Sequence, residues 1–289
     1  MASLKDLRRR IRATKSMQQI FKAMEMVAAA KLRRAQARAQ AASPYSARIS
    51  AMLANLSESA AELEHPLFKA REVKLTALVV ITADRGFAGA YNTTLLRVAE
   101  QRLRVATPGS MTCVVVGRKG RDYLRRRHYP ILAAHTELPG EASLELARRI
   151  TNDLTERFIA GEVDRVEILY THFVNAIVRR VTQETFLPIG TDVVAGGKDA
   201  KSSSGAAIFE PNAEAIFQEL LPRYATAKLY AAMADALASE HSARMVAMGA
   251  ARKNAGELVD ALTLQRNRLR QAMITREISE LVAGAEALK

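Results

Sequence analysis

The stretch Arg223–Lys289, RYATAKLYAAMADALASEHSARMVAMGAARKNAGELVDALTLQRNRLRQAMITREISELVAGAEALK, decides the fold. It contains no proline, and Ala, Leu and Arg dominate it, which are strong helix formers. The pattern reads as one helix to about Ala287, a rod on the order of 100 Å long at about 1.5 Å per residue. Gly249 and Gly256 each weaken it by roughly 1 kcal/mol relative to alanine. The other end mirrors it. The first glycine of the chain is Gly86, so residues 1–57 hold none. Two helical ends around a different middle can pair as an antiparallel coiled coil, with the middle as a side domain. That layout points to a mechanical or assembly role.

The N-terminal helix is expected to begin at Ser3, with Asp6 completing a capping box. Leu4, Leu7 and Ile11 start an apolar stripe. It continues through Met17, Ile20, Met24 and Val27, then Ala28, Leu32, Ala35 and Ala39, with a slip of register near Thr14–Met17. Pro44 is expected to kink or restart the helix. Ile49, Leu53 and Leu56 resume the stripe, and His65-Pro66 ends it.

The middle reads as α/β. Leu75–Thr82 (LTALVVIT), Met111–Val116 (MTCVVV) and Tyr129–Ala134 are expected strands. Arg165–His172 and Val178–Leu187 are two more, able to pair through a tight connection. Tyr91–Val105, the basic stretch after Gly117 and Ser143–Ala160 are expected helices. The alternation implies a mostly parallel sheet with helices on its faces. Gly196–Gly205 (GGKDAKSSSG) reads as a flexible linker. Pro211–Leu221 reads as a short helix, and Pro222 as the first turn of a new one.

Composition narrows the function. The chain has 289 residues, enough for one or two domains with a core, and no tryptophan. Its single cysteine, Cys113, excludes an internal disulfide and sits in an apolar run, so a buried structural role is expected. No apolar run is long enough to span a bilayer, and no signal peptide is visible. A bacterial cytosolic protein is expected. Net charge is +13. Residues 1–50 hold 12 basic side chains and two acids, Asp6 and Glu25, hence +10 by difference. Such a focused positive field implies an acidic partner.

Candidate chemistry is thin. Asp84-Arg85-Gly86-Phe87-Ala88-Gly89 follows a strand and precedes a helix, but it has two of the three glycines of a dinucleotide loop. A tight turn with surface contacts is the better reading. Gly117-Arg118-Lys119-Gly120 lacks the spacing of a P-loop. The histidines His65, His128, His135, His172 and His241 show no metal-ligand spacing, and His241 falls on a small-residue stripe as a packing residue. A basic DNA-contacting helix or a membrane-surface helix is a rival reading. Against the first, the apolar stripe runs through the basic segment itself; against the second, bulky aromatic anchors are nearly missing. A nucleotide-binding α/β enzyme is a further rival.

Three segments together resemble the gamma subunit of F-type ATP synthase. They are Ile20–Ala30 (IFKAMEMVAAA) with Ser43-Pro44-Tyr45, Thr82–Asn92 (TADRGFAGAYN), and Ala238–Ala251 (ASEHSARMVAMGAA) followed by LRQAMI at Leu269–Ile274 and ELVAGA at Glu280–Ala285. The resemblance covers essentially the whole chain. It implies an antiparallel coiled coil of residues 1–60 and 211–289, a Rossmann-like α/β foot over residues 72–190, and a flexible loop over residues 191–210. It implies a non-catalytic rotor shaft without cofactor or metal, peripheral on the cytoplasmic side of the bacterial inner membrane. The implied partners are three alpha and three beta subunits, epsilon and the membrane c-ring, with no nucleic acid. By position, Met24, Arg244, Arg270 and Gln271 would meet beta. Asp84, Arg85 and Gly86 would belong to the foot that meets epsilon and the c-ring. Ala88-Gly89-Ala90 departs from the family's usual glycine pair. Gly249 and Arg266 stand where the family commonly has a non-glycine residue and a tyrosine.

Overall fold

The computed structural model describes residues 3–59, 65–190 and 213–286. Contacts divide the chain into two compact units, residues 1–28 with 244–289, and residues 29–243. The expected linker over Gly196–Gly205 lies outside the described residues.

The larger unit is built on a five-stranded sheet: β1 (Thr76–Ile81), β2 (Met111–Val116), β3 (Ile131–His135), β4 (Arg165–Phe173) and β5 (Arg179–Leu187). The spatial order is β3-β2-β1-β4-β5. The first four strands are parallel and β5 returns antiparallel along β4. α2 (Tyr91–Val105), α3 (Arg118–Arg126) and α4 (Leu144–Ile159) make the crossovers. β1 is buried at every position, as a central parallel strand covered on both faces must be. Its side chains alternate between two cores. Ala77, Val79 and Ile81 face a core with α4 residues Ile150, Leu154 and Phe158 and with Leu221, Ala225 and Leu229; Leu78 and Val80 face α2 residues Leu95, Leu96 and Ala99. Cys113 is buried in β2, and burial pushes its thiol up to about 12, so it is no nucleophile.

Two long helices flank this sheet in the sequence: α1 (Leu4–Ser59) and α5 (Ala213–Glu286). Pro44 does not restart a helix, and Pro222 does not begin one. The backbone of α1 is helical throughout, so Pro44 neither ends nor restarts it. α5 begins nine residues before Pro222, which lies inside the helix and starts nothing. Proline there leaves the Gln218 carbonyl without its amide partner, but both residues are exposed and water can take the bond.

The smaller unit is an antiparallel helix pair. The Arg252 guanidinium lies 2.9 Å from the Glu25 carboxylate, and Gln18 lies against Gly256. Rising numbers on one helix thus meet falling numbers on the other. Ser3 and Asp6 form the expected capping box: Ser3 Oγ accepts from the Asp6 amide at 3.2 Å, and Asp6 accepts from the Ser3 amide at 3.4 Å. The seam differs from the expected one. Leu4, Leu7, Ile11, Thr14, Gln18, Phe21, Glu25 and Ala28 are covered in an unbroken alternation of three and four with no slip, and Met24 beside them is half-buried as expected. Met17, Ile20 and Val27 are exposed instead. Polar residues hold the seam because each is provided for. Thr14 donates its hydroxyl to the Arg10 carbonyl at 3.0 Å. Glu25 has Arg252, and Gln18 and Glu25 lie over Gly256 and Gly249. A Cβ at those glycines would come within 2.9 Å of Gln18 Nε2 and 3.2 Å of Glu25 Oε1. The two glycines leave room where the ends of these two long polar side chains lie.

Candidate functional site

In an open doubly wound sheet the ligand crevice lies at the carboxyl ends of the strands, where the strand order reverses. Here that point falls between β1 and β4, since the chain runs outward from β1 to β3 and then returns to β4. The loop after β1 is the glycine-bearing turn Thr82–Ala90, and β4 ends at the hairpin into β5.

That crevice is already occupied by the protein itself. The Tyr91 hydroxyl donates to the Ala236 carbonyl of α5 at 3.0 Å, and Ala83, Ala88 and Tyr91 pack with Ala243. On the β4 side, Ser239 Oγ donates to the Thr171 carbonyl at 2.9 Å. Ser242 Oγ donates to the Ala176 carbonyl at 2.6 Å and accepts from Arg179 at 3.1 Å. His172 pairs with Asp235, whose carboxyl burial pushes up against the pull of that histidine. Ala236, Ala238, Ser239, His241, Ser242 and Ala243 are all buried. Small side chains let α5 approach the strand ends, and the Ser239 and Ser242 hydroxyls donate to carbonyls there. The inner side of the Asp84–Gly89 turn, at Ala83 and Ala88, is thus taken up by packing against α5.

Asp84 shows what the turn does. Its Oδ1 accepts from the Arg118 amide at 2.7 Å and its Oδ2 from the Leu138 amide at 2.6 Å. One carboxylate thus ties the loops after β1, β2 and β3 together, and Ala83 adds a bond from its amide to Asn92 Oδ1 at 3.0 Å. Arg85 is exposed beside it, Gly86 is half-buried, and Phe87 projects 71% exposed with φ of 61°. Amide bonds to a charged acceptor are worth about 1.5–3 kcal/mol each, and Asp84→Asn leaves one amide facing an NH₂ donor. We expect Asp84→Asn to lower the thermal midpoint of the full chain by about 5 °C or more. An unchanged midpoint with weakened subunit assembly would make Asp84 a partner contact rather than a loop tie.

Of the other expected contact residues, Met24 is half-buried on α1, and Arg244 is half-buried on α5. The register set by Glu25 and Arg252 puts Met24 about two helical turns from Arg244 along the pair. Arg270 and Gln271 are exposed, and the Gln271 carbonyl accepts from Thr275 Oγ1 at 3.0 Å. The structure gathers Asp84, Arg85 and Gly86 in one loop, and does not gather the four helix residues into one site. Among the described residues no group of three or more His, Cys, Asp or Glu side chains is arranged to hold a metal.

A family profile described as ATP synthase matches residues 3–288. The ATP synthase gamma chain of Moorella thermoacetica is 46% identical over the whole length of both chains. The chain belongs to the ATP synthase gamma-chain family. Among solved structures, it resembles a chain of the central stalk and c-ring assembly of Tetrahymena thermophila mitochondrial ATP synthase. That match has a TM-score of 0.62 and 25% identity, and covers 80% of this chain and 99% of that one. A chain of the Euglena gracilis OSCP/F1/c-ring assembly shares the fold at a TM-score of 0.69 and 18% identity, over 99% and 94% of the two chains.

Family membership gives the small-residue stripe of α5 its sense. The sequence marked Ala238–Ala251 as a motif and His241 as a packing residue, but did not say what the stripe packs against. Tyr91, Thr171, Ser239 and Ser242 went unnoticed as a set. The available signal was the run of small residues on one helix face together with a crevice-type turn that lacks a full glycine fingerprint.

Proposed function

We propose that this chain is the central rotor shaft of a bacterial F-type ATP synthase, a peripheral subunit on the cytoplasmic side of the inner membrane. The observation that carries this is the crevice of a nucleotide-binding type of fold, closed by the chain's own C-terminal helix, in a full-length gamma-chain relative. Such a fold uses this edge of the sheet to anchor a long helix. Torque on the α/β unit then passes into α5 through packed alanines and serine hydroxyls, not through a loose linker.

The helix pair supports the same reading. Met17, Ile20, Met26 and Val27 on α1, and Ile274, Ile278, Leu281 and Val282 on α5, are large apolar side chains left exposed. Exposed apolar patches on this scale mark surfaces that work inside an assembly. The basic residues of α1 suit acidic lever segments of beta, whose contact must tolerate sliding. In this proposal Met24, Arg244, Arg270 and Gln271 face beta, and Asp84, Arg85 and Gly86 belong to the foot that meets epsilon and the c-ring. Rotation driven by the ion-fed c-ring turns the shaft, and the turning shaft moves each beta subunit through its nucleotide affinities. Nucleotide chemistry stays on beta. Among the described residues no helix is long and apolar enough to cross a membrane.

The test is co-purification. The tagged chain, extracted gently from washed membranes, should carry alpha and beta at three copies each together with ATPase activity. A chain that comes down alone, or with nucleic acid, would overturn the proposal.

A further inference from the structure

A cavity of about 70 Å³ lies in the larger unit, between α1, the loop before α4 and α5. Its floor is mostly apolar, with Ala35 and Ala234 buried and Leu237 half-buried, and the buried His241 lines it beside them. Its rim is cationic, formed by Lys31, Arg34 and Arg38. Arg38 is already neutralised by an ion pair with Glu141. Lys31 and Arg34 have no such partner among the described residues, and the Lys31 ammonium lies over Gly140, 3.7 Å from the point a Cβ there would occupy.

We infer that this pocket binds a carboxylate carried on a short hydrocarbon stem, held between Lys31 and Arg34 with the stem on the Ala35–Ala234–Leu237 floor. Two uncompensated cations at one mouth repel each other, and an anion between them relieves that repulsion while gaining charge-assisted hydrogen bonds. The arginine fork suits the planar, two-oxygen end of a carboxylate. The apolar floor favours a ligand with methylenes over a bare oxyanion such as phosphate. Glu141 at the same rim disfavours a dianion and shows, in its pair with Arg38, how this rim holds a carboxylate. The carboxylate can come from a glutamate of a partner protein or from a free small acid. The inference rests on the pocket alone and stands whichever complex the chain joins.

Two probes separate the sources: butyrate, followed by saturation-transfer NMR, and a fluorescein-labelled peptide of alternating glutamate and alanine, followed by anisotropy. Both are titrated into the full chain and into the variants Arg34→Gln and Arg33→Gln. The two variants remove the same charge from adjacent exposed positions, but Arg33 does not line the cavity. Arg34→Gln should weaken binding about tenfold, the loss of one charge-assisted hydrogen bond, while Arg33→Gln should change it by no more than about twofold, as expected for a screened surface charge. Binding of the peptide alone assigns the pocket to a partner's side chain, and binding of butyrate assigns it to a free acid. Equal weakening by both variants, or no binding of either probe, overturns the inference.

Discussion

Gly117→Ala should cost the larger unit about 4 kcal/mol or more, and lower its thermal midpoint by roughly 10 °C or beyond. Gly117 ends β2 with φ of 102° and ψ of 140°, a conformation that a side chain rarely adopts. A Cβ there would stand 2.3 Å from the Thr82 carbonyl oxygen and 2.6 Å from Thr82 Oγ1. Neither atom can retreat. The Thr82 amide donates to the Val116 carbonyl at 2.7 Å, its hydroxyl donates to the same carbonyl at 3.0 Å, and that hydroxyl accepts from the Gly120 amide at 2.9 Å. The methyl would have to part β1 from β2 where α3 begins. Gly109→Ala is the control. It has φ of 82° but meets nothing within 4 Å, so it carries only the backbone strain, on the order of 1–3 kcal/mol. Thermal melts of the full chain followed by circular dichroism compare the two. If Gly117→Ala melts no lower than Gly109→Ala, the close approach at Thr82 does not govern stability.

The same contact shows how far the sequence could be read. Gly117 and Gly120 stood out as a basic glycine pair after a strand, and an anion loop was weighed for them. Their reason is steric: a strand and the start of a helix pass against one threonine. Nothing local in the sequence names Thr82 as the neighbour, since the contact spans the distance from β1 to β2. Local readings fared better. Tyr91–Val105 and Met111–Val116 match their elements residue for residue, because one segment carries a helical period and the other a β-branched run. The antiparallel return of β5 was legible from the short link after β4.

The seam of the helix pair was misread for an instructive reason. The reading followed apolar side chains and so passed through Met17, Ile20 and Val27, inventing a slip to accommodate them. The buried line follows geometry instead, through Thr14, Gln18 and Glu25. A polar residue can occupy a seam position when its partner helix supplies a glycine or a counter-charge, and both lie on the far end of the chain, at Gly249, Arg252 and Gly256. A pattern read from one helix alone carries no record of those. The closed crevice was illegible in the same way. Tyr91 and Ala236 are separated by most of the chain, and only the folded sheet edge brings them together.

Ala247→Pro tests whether the helix pair carries torque. Ala247 lies inside α5, in the smaller unit, next to Met248 and Gly249 where the seam holds Glu25. Proline removes the amide bond to the Ala243 carbonyl and sets its ring against that carbonyl, at a cost of about 3 kcal/mol or more, and it bends the helix. A bend there parts Gly249 from Glu25 and opens the seam. Ala247→Gly is the control: it loses roughly 1 kcal/mol of helix propensity but keeps the amide and the straight axis. In membranes carrying the assembled complex, we expect Ala247→Gly to retain most ion-driven ATP synthesis and Ala247→Pro to lose at least about tenfold. ATP hydrolysis should survive the proline better than synthesis does, because the catalytic sites lie on beta and only their coupling to the shaft is broken. If the proline variant assembles and makes ATP at the rate of the glycine variant, rotation does not pass through this helix pair, and the chain would hold the complex together without driving it.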